Sequence, residues 1–83
     1  MKTMRLNDFF KFSIDEQVEI ASKGDFLGER EAKPYLIFLF NVGNFYAEVF
    51  YDEVKNKIIR VKPFKAVRIL EPYLDQVDIE QLF

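Results

Sequence analysis

The sequence predicts an α+β fold in a single domain spanning residues 1–83: an N-terminal helical segment, a three- or four-stranded antiparallel β-meander, and a short C-terminal helical tail. Three observations predict it. Gly43-Asn44 is a two-residue hairpin signal between apolar runs. Ser13-Ile14-Asp15-Glu16 has the form of a capping box that opens a helix. After Pro63 the apolar spacing lengthens, with Phe64, Val67 and Leu70 three residues apart, as a helical turn requires.

The N-terminal part comes first. Leu6, Phe9 and Phe10, with Ile14, recur at helical spacing, and a second helical segment starts after Ser13 with Ile14, Val18 and Ala21 on one face. Gly24 stands where a residue just past a helix C-terminus is expected. Val18 to Ala21 also alternates, so a strand competes with a helix there. Phe26 to Glu31 is the weaker strand candidate, joined to the next by Ala32-Lys33-Pro34, and pairing with Tyr35–Asn41 would set Gly28 under a large neighbour such as Phe38.

The central meander has one natural register. A Gly43-Asn44 loop sets Val42 opposite Phe45, Phe40 opposite Ala47, Phe38 opposite Val49 and Leu36 opposite Tyr51. A turn over Asp52 to Asn56 then sets Val49 opposite Ile59 and Ala47 opposite Val61, giving an apolar face for the N-terminal helix to cover. The other parity sets Glu48 opposite Arg60, Phe50 opposite Ile58 and Tyr46 opposite Lys62, which makes Glu48–Arg60 a cross-strand ion pair. The tail reads as short helical pieces, with Pro72 in a first turn and Asp78 to Gln81 as a further capping pattern.

The runs Phe45–Asp52, Asn56–Lys65 and Leu70–Asp75 resemble a group of small bacterial proteins. These share an aromatic-x-Glu-Val strand, an Arg-containing strand ending in Phe, and a Leu-x-Pro-Tyr-Leu tail. The resemblance covers the C-terminal two-thirds of the chain. It implies an intact domain and brings no activity with it.

Composition excludes much chemistry. There is no cysteine, histidine or tryptophan. A thiol nucleophile, a disulfide, the usual base near neutral pH and the commonest transition-metal ligand are therefore all missing. Ser13 and Ser22 sit at helix ends, and no P-loop, nucleophile elbow or dinucleotide fingerprint is present. Glu71, Asp75, Asp78 and Glu80 do not follow a calcium-loop spacing. No catalytic residue, cofactor or metal site is expected, and the protein reads as no enzyme. The residues after Met1 lack the apolar core of a signal peptide, and the apolar run Tyr35–Phe40 is too short for a membrane span, so a cytoplasmic location with no membrane partner is expected.

The basic stripe of Lys55, Lys57, Arg60, Lys62, Lys65 and Arg68 is interrupted by acids within a chain of net charge −2. This balance argues against nucleic acid as a partner, because phosphate binding calls for a clear basic excess. Ten Phe and four Tyr leave aromatic surface to spare. The second sheet face, with Ile37, Leu39, Tyr46, Phe50 and Ile58 beside Glu48, Arg60 and Lys62, is too apolar for open solvent and too polar for a core. Either the tail covers it through Phe64, Leu70, Tyr73 and Leu74, or it is a surface for self-association or a protein partner. The function expected is a non-catalytic interaction or regulatory module with Tyr46, Phe50, Ile58 and Arg60 as contacts. The alternative is a small-ligand or anion-binding domain whose pocket, between tail and sheet, contains Arg60, Lys62 and Tyr73.

Overall fold

The computed structural model of the chain describes residues 4–65 and Tyr73. Two helices, α1 (Leu6–Phe9) and α2 (Ile14–Ser22), precede four strands: β1 (Asp25–Ala32), β2 (Tyr35–Asn41), β3 (Tyr46–Asp52) and β4 (Lys57–Phe64). The strands form one antiparallel meander in the order β1-β2-β3-β4, and the α+β class is thereby shown. Phe64, expected to begin the helical spacing of the tail, is instead the last residue of β4; the rest of the expected helical segments, Lys65 and Tyr73 apart, and the capping pattern at Asp78–Gln81 lie outside the described residues.

The start of α2 follows from local chemistry. The Ser13 hydroxyl accepts from the Glu16 amide at 3.2 Å while the Glu16 carboxylate accepts from the Ser13 amide at 3.0 Å, so two otherwise orphaned donors are satisfied. Those bonds, Ser13's backbone bond foremost, hold the exposed Glu16 carboxyl below its ordinary pKa. The segment Val18–Ala21 is helix, not strand. The buried face is rotated from the one expected: Gln17 and Ala21 are buried, Val18 is half-buried and Ile14 is exposed. Phe9 is likewise buried while Phe10 is exposed. Gln17 earns its buried place because its amide donates to the Phe9 carbonyl at 2.9 Å, satisfying an acceptor at the end of α1. Past the helix, Gly24 passes so close to β2 that a Cβ there would run into the Asn41 carbonyl oxygen.

The β2–β3 register is the one the Gly43-Asn44 loop predicts, with Leu36 opposite Tyr51, Phe38 opposite Val49 and Phe40 opposite Ala47. Val42 N–H donates to the Phe45 carbonyl at 2.9 Å, and Gly43 takes φ of 115°, where a side chain would be strained. In β1, Leu27 forms a bulge, and the two-residue Lys33-Pro34 loop sets Gly28 opposite Leu39 rather than Phe38. The Lys33–Pro34 peptide is cis.

The β3–β4 register corrects the expectation. The turn is a four-residue loop, Glu53 to Asn56, between the paired residues Asp52 and Lys57. Buried Asp52 accepts from the Val54 and Lys55 amides at 2.9 and 3.0 Å, and Asn56 takes the left-handed conformation at φ 55°. The loop offsets the expected pairing by one residue, and a bulge at Ile59 adds a second. Two offsets restore parity, so Arg60 and Lys62 keep their expected face, but each partner moves by two. Glu48 lies opposite Lys62 and Phe50 opposite Arg60; Val49 meets Val61, Ala47 meets Pro63 and Tyr46 meets Phe64. Ile58, which precedes the bulge, pairs with Tyr51 and packs on the opposite face to the one expected.

Each face of the sheet carries its own core. On the first, Phe9 and Ala21 from the helical segment meet Phe45, Ala47, Val49 and Val61, with Phe9 edge-on to Phe45 at 5.3 Å. On the second, Leu27, Leu39, Phe64 and Tyr73 form a smaller cluster with Tyr46 against it.

Candidate functional site

The second face holds the chemistry. Side chains two apart on a strand share a face, so Tyr46, Glu48 and Phe50 of β3 stand in a row, with Arg30 on β1 and Phe64, Lys62 and Arg60 on β4 flanking them. Glu48 is 2 % exposed, and a buried carboxylate must be matched. The Tyr73 hydroxyl donates to its Oε2 at 2.7 Å. From across β2, Arg30 brings Nη2 to the same oxygen at 3.3 Å and Nε to the Tyr73 hydroxyl oxygen at 3.2 Å. No buried side-chain polar atom among the described residues lacks a hydrogen-bond partner. Burial first, then the Glu48 carboxylate, push the Tyr73 phenol well above its ordinary pKa, with Arg30 opposing them. The phenol therefore stays a neutral donor.

Farther along the face lies a more open patch. The exposed Arg60 sets its guanidinium carbon 5.7 Å from the centre of the half-buried Phe50 ring, and Tyr35 meets that ring edge-on at 6.0 Å. At the other end, Tyr46 stacks on Phe64 at 5.6 Å.

Three of the four expected contact residues, Tyr46, Phe50 and Arg60, are brought to this face, and Ile58 is not, because the one-residue offset of the Glu53–Asn56 turn sets it opposite Tyr51, toward the helices, before the Ile59 bulge restores parity. Glu48 pairs with Arg30 rather than with Arg60. The expected anion set is distributed differently: Tyr73 gives its hydroxyl to Glu48 and accepts from Arg30, Arg60 lies over Phe50, and Lys62 faces Glu48 across the ladder. Of the expected tail cover, Tyr73 packs in the cluster and Phe64 belongs to β4, while Leu70 and Leu74 lie outside the described residues. The acids Glu71, Asp75, Asp78 and Glu80 also lie outside them.

Comparison with family models, with curated proteins and with solved structures finds no match to this chain. The residues must speak for themselves. Arg30 is the member of this cluster that the sequence alone does not single out. It stands between Glu29 and Glu31 on β1, and only the β1 register shows that it shares a face with Glu48. Among the described residues, no helix is long and apolar enough to cross a membrane, and no cluster of three acidic residues could hold a metal ion.

Proposed function

We propose that this chain is a non-catalytic protein-interaction module that binds through the second face of its sheet. The observation that carries the reading is the Tyr35–Phe50–Arg60 patch, where an exposed guanidinium lies over a half-buried aromatic ring that a second aromatic braces. Aromatic and arginine side chains dominate the binding energy of protein interfaces, since they supply large contact area and forked donors at low entropic cost. The support extends inward. The adjacent Arg30–Glu48–Tyr73 cluster sets matched polar groups beside the patch on the same face. The absence of histidine and cysteine from the sequence further favours recognition over chemistry. Self-association and a different protein are both partners of this kind.

The test is a folded double variant, Phe50→Glu with Arg60→Glu. Self-association is read by light scattering across a concentration series, and partner association by quantitative affinity capture with wild type and variant as baits. The reading predicts that whatever the wild type binds is lost. Unchanged association in a variant whose circular dichroism is native would contradict it.

A further inference from the structure

Among the described residues, Tyr73 is the member of the second-face cluster that comes from outside the sheet. It is fully buried, its ring packs with Leu27, Leu39 and Phe64, and its hydroxyl reaches a carboxylate and a guanidinium that both belong to strands. Among the described residues, the sheet thus supplies each part of a recognition site for one phenol: an apolar slot for the ring, an acceptor for the hydroxyl proton, and a donor for the hydroxyl oxygen.

We propose that this is a tyrosine socket, filled in cis by Tyr73, and that a tyrosine-bearing segment of a partner protein is the ligand that replaces it. The proposal rests on the reading of this face as an interaction surface and names the chemistry of the partner. A phenylalanine would fill the slot but leave buried Glu48 without its closest donor, so the socket discriminates by the hydroxyl. A phosphorylated tyrosine would bring its charge against the Glu48 carboxylate and is rejected. Phe50 follows Glu48 on the same strand face, about 6.5 Å farther along at two residues' rise. A bound segment therefore meets the Phe50 ring and the exposed Arg60 next, and an acidic residue close in sequence to the tyrosine completes the match. These outer contacts are what an incoming segment has in its favour against Tyr73, because occupation in cis lowers apparent affinity by the fraction of sockets that stand open.

The experiment uses the full chain with Tyr73→Ala and compares p-cresol, the tyrosine side chain, with toluene by thermal unfolding. A ligand confined to the native state raises the midpoint. The proposal expects p-cresol to raise it by about twice the toluene shift or more, and expects Glu48→Gln in the same background to narrow that difference. Equal shifts mean a merely apolar hole and overturn the proposal, as does no shift with either compound.

Should Tyr73→Ala fail to fold, the wild type carries the test by NMR. N-acetyltyrosinamide should perturb the Leu27 and Leu39 methyl resonances and the Arg30 Nε–H, and N-acetylphenylalaninamide should not. No difference between the two overturns the socket. A loss of association with the Phe50 and Arg60 substitutions, alongside absent phenol selectivity, would remove the socket and leave the interaction surface standing.

Discussion

The two faces of the sheet solve burial in different ways. The helix-bearing face is built from apolar side chains, and the side-chain polar group placed within it, Gln17, answers to a single backbone carbonyl. The second face buries a carboxylate at its centre and surrounds it with a phenol and a guanidinium. An apolar core asks only for volume and tolerates exchange of similar shapes, whereas a buried polar cluster asks for particular atoms at particular distances. The comparison teaches that both faces hold the fold together, the first through volume and the second through particular atoms as well.

The largest effects test whether both faces matter to stability. Phe9→Ala on the first face and Tyr73→Ala on the second should each cost about 3–5 kcal/mol by chemical denaturation, as large-to-small changes at fully buried rings do. The conservative variants then separate the faces. Tyr73→Phe keeps the ring but removes the donor from Glu48 and should cost about 1–3 kcal/mol, where a volume-conserving apolar exchange on the first face costs less.

Next come the two arginines. Arg30→Ala leaves buried Glu48 with Tyr73 as its side-chain donor among the described residues and should cost about 1–3 kcal/mol, while Arg60→Ala, at an exposed position, should stay within about 0.5 kcal/mol. Equal costs would break the distinction between the buried cluster and the open patch.

Alkaline pH sharpens it further. The folded-state phenol of Tyr73 titrates above its unfolded value near 10, so its contribution is intact below about pH 10 and is lost as pH rises from there toward the folded value. Wild-type stability should fall through that window with a limiting slope of about 1.4 kcal/mol per pH unit from this group, and Tyr73→Phe should lack that component. A modest effect belongs to the cover of the first face: Ser13→Ala removes the α2 cap and should cost about 1 kcal/mol at any pH that leaves the helix charges unchanged.

What the sequence made legible was local. Gly43-Asn44 dictated the β2–β3 register, and Ser13 with Glu16 dictated where α2 begins, because each signal acts within a few residues of itself. The β3–β4 register was hidden because it depends on two offsets, the length of the Asp52-anchored turn and the bulge at Ile59, and neither has a signature as sharp as a glycine turn. The same slip hid Glu48's partner. Parity alone placed Glu48, Phe50 and Arg60 on one face, but choosing between Arg30 and Arg60 required knowing how β1 pairs and that Tyr73 reaches the sheet. Gln17 escaped for a related reason: its hydrogen bond to Phe9 crosses between helices, which helical periodicity does not encode.

The central claim is that Glu48 is held by Tyr73 and Arg30 and is independent of Arg60. A pair of double-mutant cycles tests it most directly: Glu48→Gln with Tyr73→Phe, and Glu48→Gln with Arg60→Ala, each read by denaturant unfolding. The account predicts a coupling of about 1 kcal/mol or more in the first cycle and none beyond about 0.3–0.5 kcal/mol in the second. Additivity in the first cycle, with coupling in the second, would contradict it and pair Glu48 with Arg60 instead.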